Sequence, residues 1–337
     1  MKLKTNKVGE LEQINPFQRY LRNNMTQIVT LGVLVLLTLL LALLKDNFLT
    51  PKNIINIFLQ ASVIGVLAVG MSFVIFSDGI DLSVGSVMAL TCTIVGDLVV
   101  NKGYNVFFGL LIGLIVGALC GCITGLLITK IKMPAFIVTM GAMLVWRGVA
   151  LEWVNGAGLY GVPEALGALG SKYFGDPSLS QFAMPYAVVM LILLYAAAWF
   201  VLRKTQFGTH VYAIGDNEKA AKLSGIKVDR TRILVYTISG IMCALAAVVV
   251  MGRMNGSTPI VGQSYELEAI AGVAIGGAAM SGGSGTIWGT LIGVLMVQVI
   301  RNGMNMLGLS PYYQQIIIGA IIIFAVGIDC FRRRKSH

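Results

Sequence analysis

Charged residues are scarce in this sequence: they make up 12% of its 337 residues, whereas hydrophobic residues make up 56%. Soluble domains carry about 25% charged residues, and a chain with half that share has too little polar surface to surround a core in water. An ordinary soluble domain is therefore excluded. Histidine is scarcer still, because only His210 and His337 occur. This count supports no nucleophile–histidine–carboxylate set, so the sequence predicts that the chain itself is not an enzyme.

A phosphate-binding loop is also missing. The pattern G-x-x-x-x-G-K-[ST], which cradles nucleotide phosphates in ATPases, does not occur in the chain. A literal G-x-G-x-x-G does occur at 156–161, but a dinucleotide fingerprint needs a preceding strand and a following helix, and this one lies between two apolar runs. We expect this chain to bind no cofactor. Any ATP and Mg that drive it must be bound by a partner ATPase.

Metal-binding patterns are lacking as well. Five cysteines occur, and none has the spacing of a zinc ligand beside a histidine. Four lie within apolar runs and one lies at the end of the last run, so we interpret them as small buried hydrophobic residues. No metal site is predicted. The cysteines are Cys92, Cys120, Cys122, Cys243 and Cys330.

Long apolar runs are what the sequence does contain. A helix of about 20 apolar residues crosses the roughly 30 Å hydrocarbon core of a bilayer. The first run is too long for the core of a cleavable signal, and no small-residue cleavage site follows it. The predicted fold class is therefore all-α, a polytopic membrane protein. We predict ten transmembrane helices, at 28–44, 54–76, 84–100, 106–129, 134–152, 183–202, 232–252, 266–280, 286–304 and 312–328.

The basic residues predict the orientation of these spans. Lysine and arginine concentrate in short cytoplasmic loops. With both termini in the cytoplasm, 18 of the 25 basic residues lie on that side, and the opposite orientation would invert the bias. We therefore predict a topology with N-terminus and C-terminus inside. The net charge of +10 reflects orientation and attraction to anionic membrane lipid, and we expect no nucleic-acid partner.

These spans divide the chain into three parts. A cytoplasmic head at 1–27 is either an interfacial helix or a disordered basic tail. A single membrane domain follows at 28–330, with a long cytoplasmic loop at 203–232 and an outer loop at 153–182. A basic cytoplasmic tail at 331–337 ends the chain.

The predicted span at 266–280 differs from the others. It begins with Glu266 and Glu268 and ends in a glycine run. Irregular backbone at membrane depth is tolerated where protein or a cavity surrounds it. This span is therefore either a plain helix or a re-entrant or discontinuous segment.

One apolar run carries a glycine at every fourth position. Such a ridge allows close approach of another helix, because helix association in lipid depends on packing. A four-residue step drifts by about 40° per repeat, so we expect the ridge to meet more than one neighbour. Packing within the chain is the favoured interpretation, and a dimer interface is the alternative. The glycines are Gly109, Gly113, Gly117, Gly121 and Gly125.

Polar residues within or beside the spans are candidates for the solute path or its gate. Asp81 or Ser83 is placed to cap the third span, and the alternative for Asp81 is a role in gating. The other candidates either hydrogen-bond a hydroxyl-rich solute or pair with each other at the interface. They are Arg147, Glu266, Glu268, Arg301 and Asn302.

The loop at 203–232 contains a short predicted helix at 216–225. Asp216 is the predicted N-cap and Gly225 the stop, and Glu218 is predicted to pair with Lys222. So short a helix is not stable alone in water, so it must dock on a partner or be only a solvated turn. The candidate docking residues are Gly215, Asp216, Asn217, Glu218, Ala220, Ala221, Leu223, Ser224 and Gly225.

Several motifs resemble one known family, the permease subunits of bacterial ABC importers for monosaccharides, and among them most of all the ribose transporter permeases. The loop motif is T-Q-F-G-T-H-V-Y-A-I-G-D-N-E-K-A-A-K-L-S-G-I at 205–226. Others follow in the family's order over nearly the whole chain. They are G-I-D-L-S-V-G-S at 79–86, T-M-G-A-M-L-V-W-R-G at 139–148, Y-E-L-E-A-I-A at 265–271, G-G-A-A-M-S-G-G-S-G-T-I-W-G-T-L-I-G at 276–293, N-G-M-N-M-L-G-L-S at 302–310 and A-V-G-I-D at 325–329.

The resemblance implies a homodimeric permease in the bacterial inner membrane. It implies a cytoplasmic ATPase, often one polypeptide with two fused nucleotide domains, that docks on the 216–225 helix. It also implies an outer sugar-binding protein, and an inverted repeat of the spans. Where related permeases often read N-N-G, this chain has Arg301-Asn302-Gly303. The alternative function is a carrier or channel driven by an ion gradient, with Asp97 as its main candidate relay; a membrane enzyme is a more remote alternative.

Overall fold

The structure, a computed structural model, describes residues 25–175 and 183–334, and it is mostly helical. The predicted interfacial helix of the head therefore lies almost wholly outside the described residues. The helices are α1 (Met25–Leu44), α2 (Pro51–Phe76), α3 (Val84–Gly96), α4 (Val106–Lys130), α5 (Ala135–Trp153), α6 (Glu164–Ser171), α7 (Tyr186–Lys204), α8 (Gln206–Asp216), α9 (Glu218–Leu223), α10 (Val228–Met254), α11 (Tyr265–Ile275), α12 (Ile287–Met306) and α13 (Pro311–Arg334). A π-helical turn, Asp97–Asn101, continues α3.

Polar caps determine where several membrane helices begin. The Thr50 side chain accepts the N–H of Asn53 at the start of α2, and Pro51 occupies the first turn, where a missing N–H costs nothing. Asn105 accepts the N–H of Phe107 at the start of α4. Each cap satisfies a backbone donor that the helix itself leaves free.

Eight of the ten predicted membrane helices are confirmed, because eight helices within the described ranges are long and apolar enough to cross a bilayer. Helix α13 begins at Pro311, where the tenth span is predicted, but its apolar part, Pro311–Phe324, is shorter than those eight. Helix α11 has only 11 residues and spans about 16 Å, so it crosses only part of the hydrocarbon. A helix over 266–280 is therefore wrong, and the discontinuous alternative is correct: non-helical backbone follows Ile275.

The helix ends lie on two opposite faces of the molecule, and contacts between distant segments show which ends share a face. On one face, Gln27 Nε2 donates to Thr286 Oγ1 at 2.5 Å, and Lys130 pairs with Asp229 of the long loop region at 3.0 Å. We call this face the loop face. The start of α1 lies there at Gln27, and α13, which follows α12 back from the opposite face, runs toward it. The distribution of lysine and arginine predicts that the loop face is cytoplasmic.

The order of elements in the first half of the chain recurs in the second. A long helix, α2 or α10, leads into a non-helical segment, 77–83 or 255–264, and then into a shorter helix, α3 or α11. Two further helices complete each set, α4 and α5 or α12 and α13. We call the two sets the first and second repeats.

The two repeats run in opposite directions. Gly70 of α2 lies against Ser239, and Gly79 just beyond α2 lies against Tyr236, so α10 is antiparallel to its counterpart α2. The third helix of each repeat packs on the first helix of the other: α4 contacts α10, and α12 contacts α2. This is the predicted inverted repeat. Because the third helix of each repeat packs on the first helix of the other, the two repeats form one packed bundle.

The glycine ridge of α4 allows its close packing on α3 and α10. A Cβ on Gly109 or Gly113 would approach valine side chains of α3 and its π-turn, whereas one on Gly121 would press on the backbone of Tyr236 in α10. The ridge thus turns from one neighbour to another along the helix. Both neighbours belong to the same chain. Gly293 of α12 makes the corresponding backbone approach, to Gly272 of α11.

Short strands organise the outer loop on the opposite face. Strand β1 (Leu159–Tyr160) pairs antiparallel with β4 (Gly256–Ser257), and β2 (Tyr173–Phe174) pairs with β3 (Met184–Pro185). Helix α6 lies between β1 and β2 in the chain. It packs on the end of α10, where Gly170 approaches Gly252. The outer loop is therefore tied to the second repeat.

Candidate translocation path and coupling segment

The two non-helical segments meet inside the bundle. Segment 77–83 enters from the loop face and leads into α3, and segment 255–264 enters from the outer face and leads into α11. Their ends touch: a Cβ on Gly85 would lie within 3.0 Å of the Gly262 carbonyl oxygen and of Glu266 Oε2. Two helix N-termini therefore face each other at depth, which is the arrangement found at midplane sites of transporters with inverted repeats.

Asp81 binds the start of α3, although not as a simple cap. Its carboxylate accepts the Ser83 N–H at 3.0 Å, the Ser83 hydroxyl at 2.6 Å and the hydroxyl of Ser239 in α10 at 2.8 Å. Ser83 holds the cap position but makes no cap bond of its own, so the proposed Ser83 cap is wrong. The buried Asp81 instead joins the two repeats.

Arg147 supports the other non-helical segment. Its Nη1 donates to the carbonyl oxygens of Pro259 at 2.6 Å and Val261 at 2.7 Å. Carbonyls at membrane depth need partners within the protein, and Arg147 supplies them. The Tyr236 hydroxyl does the same for Ile80 at 3.3 Å. Each broken segment is therefore braced by a polar side chain of another helix.

Glu268 and Arg301 form a buried ion pair between α11 and α12. Arg301 Nη1 lies 2.5 Å from Glu268 Oε1, and Gln298 Nε2 donates to the other carboxylate oxygen at 3.1 Å. The Glu268 side chain is only 2% exposed. The charge of each partner is thereby compensated, as buried charges require.

Asn302 lies apart from that cluster. It exchanges amide hydrogen bonds of 2.9 and 3.0 Å with Asn53 of α2, near the outer ends of both helices. The seven predicted path residues thus form four groups rather than one. Asp81 with Ser83 joins α10, Arg147 and Glu266 adjoin segment 255–264, Glu268 pairs with Arg301, and Asn302 pairs with Asn53.

Asp97 lies at the outer end of α3. It pairs with Lys102 at 3.0 Å and accepts hydrogen bonds from Asn101 and Trp153. These contacts hold the ends of α3 and α5 together. A carboxylate in an ion pair at the rim is placed for structure rather than for carrying protons through the membrane.

The loop at 203–232 contains two helices where the sequence predicted one. Helix α8 ends at Asp216, and the side chain of Asn217 accepts the N–H of Ala220 at 3.0 Å to begin α9. The prediction of Asp216 as the N-cap is therefore wrong. Gly225 has a φ of 83°, as a helix stop in the left-handed region requires, although α9 itself spans only Glu218–Leu223. We call residues 215–225 the coupling segment.

The charges of the coupling segment also pair differently from the prediction. Glu218 Oε2 binds Nη1 of Arg232 at 2.8 Å, so its predicted partner Lys222 is wrong. Burial raises the pKa of nearby Asp78, which the charge of Arg232 opposes and that of Glu218 reinforces. The coupling segment, the start of α10 and the end of α2 thus share one electrostatic environment.

The coupling segment presents an apolar residue to the outside. Leu223 is 90% exposed, and Ala220 and Ser224 are exposed beside it. Ala221 is buried against Ile214 and Val228 and holds α9 to the body of the protein. Leu223, Ala220 and Ser224 therefore lie on the surface of the protein, where another chain can reach them.

No cluster of three or more histidine, cysteine or acidic residues able to hold a metal ion occurs among residues 25–175 and 183–334. The described cysteines remain free thiols in the helices.

Comparison with known proteins decides the family. The profile of a family described as the branched-chain amino acid transport system / permease component matches residues 53–326. This chain belongs to that permease family. It is a multi-pass membrane protein, and its role is transport rather than catalysis.

The permease also resembles curated proteins over most of its length. It is 43% identical to the ribose import permease protein RbsC of Bacillus subtilis (strain 168) over 90% of this chain and 91% of that protein. It is 38% identical to RbsC of Escherichia coli (strain K12) over 89% and 92%. It is 34% identical to the fructose import permease protein FrcC of Rhizobium meliloti over 96% and 90%. No solved structure matches significantly.

Sequence reasoning missed α8 and its contacts with the membrane helices. Phe207, Val211 and Ile214 recur at intervals of four and three residues, which is the apolar spacing of an amphipathic helix. That signal predicts α8 when the loop is searched for periodicity. The partners of α8 in the permease, Phe76 and Gly283, come from segments distant in the sequence and carry no such signal.

Proposed function

We propose that this permease forms the membrane path of an ATP-driven ABC importer for a monosaccharide, with ribose the leading candidate. The observation that carries the proposal is identity of 43% and 38% to ribose import permeases over about nine-tenths of the chain. Fructose and xylose permeases resemble it at 34% and 30%. The family description names amino acids, but the most similar of these relatives are named for sugars.

A cytoplasmic ATPase, with ATP and Mg bound to it, is the proposed energy source. The chain lacks a phosphate loop, and its coupling segment exposes Leu223, Ala220 and Ser224 on the loop face. These features support docking of an ATPase, as one polypeptide with two nucleotide domains or as two copies. Closure of the ATPase around ATP would then move α9.

A second copy of the permease is the proposed membrane partner. The fourth helix of each repeat leaves a broad apolar face uncovered, with Phe136 and Leu144 exposed on α5 and Tyr312 and Ile316 exposed on α13. Lipid or a second copy can cover such faces. A homodimer would place the solute path between the copies, in a bacterial inner membrane. A sugar-binding protein would dock on the outer loop and deliver the solute.

In this proposal, the main role of the predicted path residues is to hold the two non-helical segments, 77–83 and 255–264, in place. Arg147 binds segment 255–264, and Asp81 binds the start of α3. The ends of these segments meet at Gly85 and Gly262. Alternating access would open the bundle first on one side of this contact and then on the other.

Reconstituted transport tests the proposed function directly. Permease, ATPase and binding protein are placed in liposomes, and uptake of labelled ribose, xylose, fructose and leucine is measured with and without ATP. We expect ATP-dependent uptake of one or more of the sugars only when all three proteins are present. Uptake by the permease alone under an ion gradient would instead establish the carrier alternative, and uptake of leucine alone would refute a sugar substrate.

A further inference from the structure

Three segments of the permease meet at backbone level on the loop face. They are the end of α2 at Phe76, the loop after α11 at Gly283, and the last turn of α8 at Gly215. The Gly283 N–H donates to the Phe76 carbonyl oxygen at 3.1 Å, which joins the first repeat to the second. We call this contact the glycine junction.

Gly215 inserts the coupling segment into that junction. A Cβ on Gly215 would lie closer than 3.0 Å to the Phe76 carbonyl oxygen and to the Gly283 nitrogen. Both are backbone atoms and cannot rotate away as the end of a side chain can. Gly215 is buried, so it is not part of the surface that an ATPase would touch.

Further contacts make the junction rigid. Gly282 and Gly283 have φ values of 78° and 74°, and Cβ atoms on them would meet the backbone of Gly215 and Asp216 at 2.8 Å. Glycine is therefore required there both for conformation and for space. The loop after α11 follows the backbone of the coupling segment closely.

Tyr212 adds a side-chain contact one turn earlier in α8. Its hydroxyl donates to the Gly285 carbonyl oxygen at 3.1 Å, and its ring stacks on that of Phe76 with centroids 5.4 Å apart. Burial raises the pKa of Tyr212 to about 12, so the hydroxyl remains a donor at physiological pH. One tyrosine thus contacts both repeats.

We propose that Gly215 is the positioning residue that transmits movement of the coupling segment to both repeats, through its backbone contacts with Phe76 and Gly283. The inference rests on the proposed function. Only Asp216 separates Gly215 from Asn217, the cap residue of α9. A displacement of α9 by an ATPase therefore also displaces Gly215 at the glycine junction. Because Phe76 ends α2 and Gly283 follows α11, one displacement moves both halves of the inverted repeat.

Gly215→Ala tests the proposal in the reconstituted complex of permease, ATPase and binding protein. The control is Gly65→Ala, at a glycine whose neighbour is the flexible end of the Leu191 side chain. We expect G215A to keep the ATPase bound and to hydrolyse ATP, yet to lose the stimulation by loaded binding protein and to reduce sugar uptake at least about tenfold. G65A should retain the transport and the stimulation.

Tyr212→Phe provides a milder second variant that decides the matter where G215A fails to fold. It removes the bond to Gly285 and keeps the stacking on Phe76, and we expect the number of sugars moved per ATP to fall about threefold to fivefold. Normal uptake and stimulation in G215A would overturn the proposal, and where G215A fails to fold, normal coupling in Y212F would overturn it. So would loss of bound ATPase in proportion to lost uptake, which indicates a merely structural role. Absence of ATP-dependent uptake by the wild-type complex would overturn the proposed function itself, before any variant is compared.

Discussion

Glu268 and Arg301 lie 2.5 Å apart in a buried ion pair that joins α11 to α12. Removing Arg301 leaves the Glu268 carboxylate, whose side chain is 2% exposed, buried without a partner, which costs about 3–5 kcal/mol, whereas removing both costs far less. We expect Arg301→Leu to lower the thermal stability of the purified permease strongly, and Glu268→Leu to lower it less, because the Arg301 side chain is 29% exposed. The double variant should recover most of the loss, as a double-mutant cycle in detergent would measure.

The exposed pair of Glu164 and Lys172 on the outer loop is the matched control. Its side chains remain in water, so Glu164→Gln and Lys172→Gln should leave the melting temperature unchanged. Equal costs at the exposed and buried pairs, or full additivity in the double variant at Glu268 and Arg301, would contradict the assignment of a compensated buried pair.

Arg147→Lys should weaken the outer non-helical segment. Lysine keeps the charge but cannot reproduce a guanidinium that bonds to the carbonyl oxygens of Pro259 and Val261, so we expect a loss of about 1.5–3 kcal/mol. Thermal unfolding in detergent and sugar uptake in liposomes both measure the effect. The same change at exposed Arg230 should be neutral, and equal behaviour of the two variants would argue against the bracing role.

Leu223→Arg should detach the ATPase without unfolding the permease. Leu223 is 90% exposed, so an arginine there disturbs no internal packing but places a charge in the proposed apolar contact. We expect co-purified ATPase to fall at least about tenfold, while the melting temperature of the permease alone stays the same. Leu223→Met is the control and should retain the ATPase. Retention of the ATPase by L223R would exclude this face as the docking site.

Gly121→Ala should destabilise the packing of α4 on α10. The added methyl would meet the backbone of Tyr236 and Thr237, and crowding of a well-packed interior costs about 1–3 kcal/mol. Gly32→Ala in α1 has open space around it and should be neutral or slightly stabilising, because alanine favours the helix. Thermal unfolding of both variants gives the comparison, and equal stability would mean that α4 and α10 do not pack this closely.

Asp97→Asn separates the importer from the ion-gradient alternative. Asp97 pairs at the outer end of α3 with Lys102, whose side chain is 50% exposed, and an ion pair with an exposed partner contributes little. We expect ATP-driven uptake by D97N to stay within about threefold of wild type. An abolished transport activity that depends on a proton or ion gradient would identify Asp97 as a relay and favour the carrier.

The membrane architecture was predictable because the bilayer imposes it on the sequence. A helix must be apolar over about 20 residues to cross the hydrocarbon, so eight spans could be located from composition, and the distribution of basic residues predicted one orientation. The period of four in the α4 glycines indicated a close approach. It did not identify α3 and α10 as the neighbours, because a glycine ridge says that something packs there but not which helix.

The polar contacts could not be predicted to the same degree. Glu268 and Arg301 were candidates for the path, and the structure shows that they pair with each other. Glu218 was predicted to pair within α9 and instead binds Arg232. Side chains of this length reach several positions, so the partner depends on which helices the fold brings alongside.

The coupling segment shows which features the sequence determines by itself and which depend on the tertiary structure. Residue types alone predicted a short helix here, since Gly225 stops it, small residues cover it and Asp216 is a good cap residue. Only the tertiary structure showed that the cap is Asn217 instead. Gly215 packs on the backbone of Phe76 and Gly283, Asp216 is the last residue of α8, and Asn217 caps α9. The sequence shows which residue types can cap the helix. The position of the cap is seen only in the tertiary structure, where segments far apart in the chain pack against Gly215.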